Sequence, residues 1–381
     1  MKFLFIIQGE GRGHMTQAIA LSQILKKAGH ELCSVCIGKS NRRQIPDFVQ
    51  KKLHVPIHTF ESPNFVTDKN HKAVRPLPTI TQNLGKWRIF QKSLKEIDGF
   101  VKTHKPDIIL NFYDILAGIY NWLYKPECEF WSIGHQYLAE HRDFAFPKNS
   151  TIKQVLFKIN NHLTALHASN ILALSFRPMD KFGHKTKILP PLLRSEIKSL
   201  EIAKDDFIMA YMVNPGYGDE LMLQAKENPT IKIEVFWDKK GAPSPFQPLP
   251  NLTFHKIDDQ LFLSKMATCK GLITTAGFES VCEAMYLGKK VMMIPVKGQF
   301  EQACNALDAL QAHAGIISDK FDIIRFDDYL NQMEIQGEAR TLWADSFEKL
   351  FKEIINDTVS QRTDQDYFSN PYNQNQAATS I

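Results

Sequence analysis

The chain has 381 residues and a formal net charge of +5, and this length suits two domains with a sizeable core in each. Hydrophobic residues make up 44% and charged residues 23%, which are ordinary values for a soluble globular protein. No apolar run approaches the roughly 18 residues of a membrane-spanning helix, and no signal-peptide pattern opens the sequence.

Six cysteines are scattered along the chain. Cys33 and Cys36 form a C-x-x-C spacing, but within a predicted strand their side chains point to opposite faces. No second Cys or His pair supports a zinc site. We therefore expect buried free thiols and a protein of the reducing cytoplasm.

The charge is unevenly divided. Residues 1–190 hold 27 Lys and Arg against 14 Asp and Glu, whereas the remaining residues hold 19 against 27. A basic half beside an acidic half indicates an anionic partner for the basic half. Nucleic acid, an anionic membrane surface and a phosphorylated acceptor would all fit.

Strand and helix patterns alternate twice along the chain. The first set of predicted strands lies near 2–7, 31–37, 54–58, 107–112, 128–133 and 170–175. Paired prolines, Pro190 and Pro191, then suit an interdomain linker. The second set of strands lies near 206–212, 231–236, 252–255, 270–274 and 290–294, with helices that start near 217, 259, 277 and 299. This alternation predicts the α/β class, with two doubly wound domains built on parallel sheets.

The predicted boundaries follow from that pattern. We expect a first Rossmann-like domain over 1–190, a second over 191–336, and a helix over 337–358 that crosses back to the first. The polar, Asn/Gln-rich tail over 359–381 is predicted to be disordered. In doubly wound sheets, ligands bind outside the carboxyl ends of the strands.

A glycine-rich turn, GEGRGH, follows the first strand and precedes a helix. A dinucleotide fingerprint needs glycine where His14 stands, and Arg12 sits where the backbone would approach a pyrophosphate. The second strand also ends without an acid to hold a ribose, so NAD is not expected. The turn therefore presents His14 at a helix N-terminus.

The most informative segment is GLITTAGFESVCEAMYLGKKVMMIPVKGQFEQACNA, at 271–306. Its small-residue turn would let a nucleotide diphosphate approach N–H groups at a helix N-terminus, where the dipole favours negative charge. Glu283, two turns into that helix, could accept both hydroxyls of a ribose. Any one of these residues could be an ordinary surface or capping residue, but the ordered set favours a binding site. The candidate nucleotide-sugar ligands here are Thr275, Ala276, Gly277, Phe278, Glu279, Ser280, Glu283, Gln299, Glu301 and Gln302.

The two segments together resemble GT-B glycosyltransferases. They are most similar to the group of the lipid I N-acetylglucosaminyltransferase and the galactosyldiacylglycerol synthases, with Glu10 and Arg12 as departures from the usual loop. The resemblance implies two Rossmann-like domains that face each other across a cleft, the first for the acceptor and the second for the nucleotide. It implies inverting, metal-independent transfer from a UDP-sugar, without a cofactor, to an acceptor that is a lipid or a phosphorylated glycan.

A transferase of this kind needs a general base for the acceptor hydroxyl. His14 is the first candidate, because its unperturbed pKa suits neutral pH; capping its helix or binding phosphate is the alternative. His135, which follows another strand at the same edge, is the second candidate. Asp114 could orient a base or N-cap the next helix, and Glu10 is a further carboxylate.

The resemblance also implies the walls around the donor. Gly11 and Gly13 would approach the diphosphate from the acceptor side. Read from the residues alone, Asn214, Gly216 and Gly218 form a loop before a helix, which is either a second wall for the phosphates or a tight turn without a ligand. Ile257 lies where family members hold the base ring by backbone contacts. No metal ligand is expected.

Membrane contact and other functions are alternatives. The basic segment at 79–105 could lie on an anionic membrane at the inner face, or it could be a domain helix with a solvated basic face, which we favour. A UDP-sugar hydrolase or 2-epimerase of the same fold is one alternative function. A nucleic-acid-binding or regulatory module is another, but it lacks interleaved aromatics at recognition spacing, so nucleic acid is not expected as a partner.

Overall fold

The computed structural model describes residues 1–9, 11–39, 45–63, 85–212, 215–239, 241–332 and 338–369. Two seven-stranded sheets form its framework. The strands of the first sheet are β1 (Lys2–Gln8), β2 (Glu31–Lys39), β3 (Ile57–Glu61), β4 (Ile108–Phe112), β5 (Glu129–Gly134), β6 (Asn170–Leu174) and β7 (Thr186–Leu189). All of its strand pairs are parallel, in the order β3-β2-β1-β4-β5-β6-β7.

Within the described residues, five helices flank the first sheet. They are α1 (Arg12–Lys27), α2 (Asp47–Leu53), α3 (Trp87–His104), α4 (Ile115–Tyr124) and α5 (Thr151–Thr164). A 3-10 helix, His135–Glu140, follows β5. The apolar run of β1 is fully buried, because helices cover both faces of the sheet at its centre.

The second sheet repeats this plan. Its strands are β8 (Ile208–Met212), β9 (Ile233–Trp237), β10 (Phe246–Leu249), β11 (Leu252–Lys256), β12 (Gly271–Thr274), β13 (Lys290–Met293) and β14 (Gly315–Ile317), in the order β10-β11-β9-β8-β12-β13-β14. The β10–β11 pair is antiparallel, and the other strand pairs of this sheet that the structure describes are parallel. The helices are α6 (Gly218–Glu227), α7 (Asp259–Thr268), α8 (Phe278–Tyr286), α9 (Phe300–Gln311), α10 (Ile323–Gln332), α11 (Glu338–Asp345) and α12 (Phe347–Ser369).

Each sheet has a topological switch point beside its first strand. In the first sheet it lies between β1 and β4, and in the second it lies between β8 and β12. The loops at the carboxyl ends of these strands diverge there and leave a crevice, which is the usual ligand position in an open α/β sheet. The two predicted doubly wound sheets are confirmed.

Three strands of the structure are not predicted by the sequence pattern. They are β7, β10 and β14, and each forms an edge of its sheet or is only three or four residues long. A short edge strand needs few buried side chains, so its apolar pattern is weak. The linker predicted from Pro190 and Pro191, ILPPLLRSEI at 188–197, consequently begins inside β7.

The C-terminal helix packs against the first sheet. Phe351 of α12 is buried and meets Trp131 of β5 edge-on, with 6.2 Å between ring centroids. Lys27 of α1 also lies 2.9 Å from the carboxylate of Glu348. The helix continues through 359–369, where the sequence predicts disorder. Once a helix has formed, each further residue adds one backbone hydrogen bond, which favours its continuation. Residues 370–381 lie outside the described part.

The basic segment contains α3 and is a domain helix where it is described. Phe90, Leu94 and Ile97 form its buried face, while Lys92 and Lys95 are exposed. The structure thus agrees with the solvated basic face weighed above; residues 79–84 lie outside the described part. Among the described residues, no helix is both long and apolar enough to cross a membrane.

Candidate functional site

A cavity of about 280 Å³ lies between the two sheets at their switch points. Its first wall is the loop after β1 with the start of α1, together with the 3-10 helix after β5. Its second wall is formed by the turn after β12, by α8 and by the start of α9. The cavity thus lies where the motif segments of both halves converge.

The glycines of the first loop allow the two walls to approach each other. Gly11 is the N-cap of α1 and has no side chain, so the N–H groups that open this helix are accessible to an anion. A Cβ atom on Gly13 would overlap the carboxylate of Glu279, whose Cδ lies only 2.9 Å from that position. Both glycines line the cavity.

His14 lines the cavity and is held by Gln17. Its Nδ1 lies 3.3 Å from Gln17 Oε1, and its ring stacks on Tyr113 at 5.7 Å. Gln17 Nε2 in turn donates to Glu279 of the opposite wall. An ionised carboxylate can only accept, so the amide nitrogen faces Glu279 and the amide oxygen faces His14. His14 then carries its proton on Nδ1, which leaves the Nε2 lone pair for a substrate proton.

Burial shifts the pKa values of His14 and Glu279, the two residues that Gln17 connects. Desolvation lowers the pKa of His14 to about 4, partly offset by the Gln17 contact. Desolvation raises the pKa of Glu279 to about 7, with backbone and Gln17 hydrogen bonds acting the other way. At neutral pH His14 is therefore uncharged, and Glu279 is divided between its two protonation states.

Glu283 faces the cavity from α8 but is already paired. Arg194 donates from Nε to Oε1 at 2.6 Å and from Nη2 to Oε2 at 2.7 Å. Arg194 also bonds Asp259, which Lys52 bonds from the other side. Each carboxylate oxygen keeps a second lone pair, so Glu283 can still accept hydroxyls while Arg194 fixes its orientation.

The start of α9 contributes polar groups at the far end of the cavity. Glu301 Oε1 accepts from Gln136 Nε2 at 2.8 Å, and burial raises the pKa of Glu301. Gln302 Oε1 accepts from the Val296 N–H at 2.9 Å. Gln299 precedes the helix and also lines the cavity. The three predicted sugar ligands are therefore brought together.

His135 lines the cavity, and in the described part of the chain only its Nδ1 makes a hydrogen bond. Nδ1 donates to the carbonyl of Leu174 at 2.8 Å, and Nε2 lies 3.4 Å from the buried carboxylate of Asp308. The ring stacks on Phe278 at 4.2 Å. This arrangement ties the two halves together and leaves His135 poorly placed as a base.

Asp114 is not among the cavity-lining residues. Its Oδ1 accepts from the N–H groups of Leu116 and Ala117, and its Oδ2 accepts from the Ser62 hydroxyl at 2.8 Å. It is fully buried, and desolvation raises its pKa to about 6. Of the two roles considered from the sequence, the contacts are those of an N-cap, not of a catalytic group.

The remaining predicted ligands divide into three groups. Ile257, Thr275, Gly277, Phe278 and Ser280 line the cavity. Ala276 and Gly216 are not among the lining residues: Ala276 has φ +57° and its carbonyl accepts from Asn305, while Gly216 lies in a 3-10 turn, Pro215–Tyr217. Asn214 and Glu10 lie outside the described residues.

Of the polar cavity-lining residues that sequence reasoning missed, three hydrogen-bond to side chains of predicted site residues. Gln17 follows His14 by three residues, and this helical spacing is a signal that could have identified it. Gln136 follows His135 directly. Arg194 stands in the linker, where no periodic pattern distinguishes it.

Two Rossmann-like domains with a polar cleft between their switch points define a GT-B protein. Residues 1–334 match the family model described as glycosyl transferase family 1, so the chain belongs to that family and is a glycosyltransferase. A search of the curated protein sequences finds no match.

Solved structures share this fold at low sequence identity. The kitacinnamycin glycotransferase is similar with a TM-score of 0.58 at 12% identity, covering 92% of this chain and 95% of the other. MurG of Acinetobacter baumannii has a TM-score of 0.54 at 14% identity, covering 94% and 100%. A UDP-GlcNAc 2-epimerase from Neisseria meningitidis, bound to UDP-GlcNAc, has a TM-score of 0.55 at 13% identity, covering 94% and 100%.

Proposed function

We propose that this glycosyltransferase takes a sugar from a UDP-sugar and transfers it, with inversion, to a hydroxyl of a lipid or lipid-linked acceptor. The observation that carries the donor assignment is the position of Glu283. It lies six residues beyond Gly277, the N-cap of α8, and six residues of helix span about 9 Å. That separation suits a ribose at Glu283 and a diphosphate at the helix N-terminus.

The charge of the leaving diphosphate would be met by backbone donors. The N-termini of α1 and α8 approach the cavity from opposite walls, and each helix has a glycine as its N-cap. N–H groups at a helix N-terminus favour an anion without a bound metal. We propose that transfer proceeds without a resident metal and continues in the presence of a chelator.

His14 is proposed as the base from its position in the cavity; burial lowers its pKa to about 4, so it is a weaker base than the unperturbed imidazole expected from the sequence. The acceptor hydroxyl would give its proton to Nε2 while its oxygen forms a bond to the anomeric carbon. The bond from that carbon to the diphosphate oxygen breaks, and UDP leaves with the electron pair. Because His14 and the proposed donor site lie on opposite walls, one displacement inverts the anomeric centre.

The first test is equilibrium binding of nucleotides to the purified chain. Calorimetric titration with UDP, GDP and dTDP should show tightest binding of UDP. Replacing Glu283 by alanine should weaken that binding about a hundredfold, because two hydroxyl–carboxylate hydrogen bonds are lost at roughly 1.5 kcal/mol each or more. Binding of none of the three would overturn the donor assignment.

An epimerase or hydrolase is the second candidate function. Three glutamates, Glu279, Glu283 and Glu301, line the cavity beside His14, and one neighbour in fold is an epimerase bound to UDP-GlcNAc. Such an enzyme would act on a donor without any acceptor. Incubation with a UDP-sugar alone distinguishes the three activities. Formation of the epimeric UDP-sugar indicates an epimerase, and release of free UDP and sugar indicates a hydrolase. An unchanged donor favours the transferase.

The lipid acceptor and the cytoplasmic, membrane-peripheral location remain parts of the same proposal. The basic charge of residues 1–190 supports an anionic acceptor or surface, and the fold resemblance to MurG is compatible with it. Donor turnover that rises on addition of a total lipid extract, and not of a water-soluble extract, tests this part.

A further inference from the structure

Helix α5 exposes a continuous apolar stripe. Ile152, Val155, Leu156 and Ile159 are 77%, 52%, 49% and 50% exposed, and they follow the i, i+3, i+4, i+7 spacing of one helix face. In a surface helix of a globular protein, that spacing normally marks the side that faces the core. In the part of the chain that the structure describes, nothing covers this stripe, so it marks an interaction surface.

The stripe lies in a segment without negative side chains. No Asp or Glu occurs between Asp143 and Asp180, whereas Lys148, Lys153 and Lys158 do. Lys148 and Lys153 are exposed, and Lys158 reaches back to Glu140 at 3.1 Å. Lys153 and Lys158 flank the stripe on its two sides, at about 100° per residue around the helix. The surface is therefore apolar with a basic border.

The opposite side of α5 contacts the residues around the cavity. Phe157 packs edge-on against Phe300 at 5.6 Å, and Phe300 opens α9. Asn161 Nδ2 donates to the carbonyl of Gln136 at 2.7 Å, and Gln136 lines the cavity. A helix with its side chains is about 10 to 12 Å across, so the stripe lies about one helix diameter from residues at the border of the cavity.

We propose that this α5 surface docks on an anionic lipid bilayer. Apolar side chains would enter the headgroup boundary while the bordering lysines meet lipid phosphates. A second copy of the chain is a poorer occupant, because a two-fold contact would set the lysine border of one copy against that of the other. The inference rests on the proposed function in one respect: an acceptor held in the membrane is the reason for this surface to dock there.

The experiment is sedimentation of the full-length chain with vesicles. Vesicles of phosphatidylcholine with phosphatidylglycerol are compared with pure phosphatidylcholine, for wild type and for the triple variant Ile152→Ser, Leu156→Ser, Ile159→Ser. We expect wild type to bind the anionic vesicles more tightly, and the triple variant to bind them at least about tenfold more weakly. A second variant, Lys148→Ser with Lys153→Ser, should lose much of the preference for anionic lipid while keeping the apolar stripe.

A matched control variant loses a similar amount of exposed apolar surface at positions away from α5. Ile202, Leu223 and Ile324 are 61%, 56% and 49% exposed elsewhere on the chain, and their replacement by serine should leave vesicle binding unchanged. UDP binding, measured on every variant, reports that the fold is intact and tests the donor site separately from docking. Equal vesicle binding by wild type and triple variant overturns the proposal. So does concentration-dependent dimerisation that the triple variant abolishes, without vesicle binding by wild type.

Discussion

The guanidinium of Arg194, from the linker between the two sheets, forms a two-pronged hydrogen bond with the carboxylate of Glu283 on α8. Both side chains are buried. Arg194 therefore acts on the proposed ribose ligand as a positioning residue, and it connects that ligand to Asp259 and Lys52.

Replacing Arg194 by methionine should destabilise the protein by about 3 to 5 kcal/mol, because the Glu283 carboxylate is left buried without its partner. Urea denaturation measures this change. In the double variant Arg194→Met, Glu283→Met both charges are removed, and most of the lost stability should return. If the single and double variants unfold at the same urea concentration, Arg194 and Glu283 do not stabilise each other in the folded chain.

Replacing Gly13 by alanine should impair activity without unfolding the chain. The added Cβ would displace the Glu279 carboxylate and so break its hydrogen bond with Gln17. Steady-state assays should show a fall in kcat/KM, and a second change, Glu279→Ala, should relieve the clash without restoring activity. Gly99→Ala on α3 is the control, since a Cβ there meets nothing within 4 Å. Full activity of Gly13→Ala would contradict the close approach of the walls.

Glu279 should impose a titration near pH 7 on kcat/KM. Only its ionised form is restricted to accepting from Gln17, which fixes the His14 proton on Nδ1. Activity should therefore rise as the pH rises through about 7, the pKa to which burial raises Glu279. In Glu279→Gln this step should be absent from the pH profile, because His14, with a pKa of about 4, remains neutral over the same range. A step that persists in the variant would belong to another group.

The same carboxyl should lower stability as pH rises. Its pKa is about 7 in the folded chain against an ordinary value of 4.5, so the folded state holds the proton more strongly. This stabilisation is complete below pH 4.5 and is lost as pH rises through 7. Relative to wild type, Glu279→Gln should gain on the order of 3 kcal/mol between these limits. Urea midpoints at the two ends of this range measure the gain, and a constant difference would refute it.

Asp114→Ala should reduce stability and leave kcat unchanged in the folded protein. Its side chain caps α4 through Leu116 and Ala117, and loss of such a cap costs about 0.5 to 2 kcal/mol. Asp114→Asn is the matched variant, because asparagine caps as well as aspartate does. A large fall in kcat for the asparagine variant, with normal stability, would mean that Asp114 has the catalytic role that the sequence suggests.

The sequence predicts the parts of the site that arise from local pattern. The strand, glycine turn and His14, and the strand–turn–helix order around Glu283, are encoded by apolar runs interrupted by small residues. The position of a residue after a strand does not say which way its side chain points. This is why His135 and Asp114 were candidate catalytic groups, although one is held by Leu174 and Asp308 and the other caps a helix.

The contacts between the two halves could not be read from the sequence. Arg194 lies 89 residues from Glu283, and Gln17 lies 262 residues from Glu279. Such pairs depend on how the two sheets face each other, and local spacing carries no information about that. The stripe on α5 has the same origin: its periodicity is that of a buried face, and only the folded chain shows it exposed.

The central claim is that a nucleotide-sugar donor is bound at Glu283 and its sugar is transferred with His14 as base. Release of nucleoside diphosphate from UDP-, GDP- and dTDP-sugars, with and without a lipid extract, tests it most directly. We predict lipid-dependent release from a UDP-sugar, reduced about 10²- to 10⁴-fold in His14→Ala and lost at limiting donor in Glu283→Ala. No release from any donor, or release that both variants retain, would contradict the account.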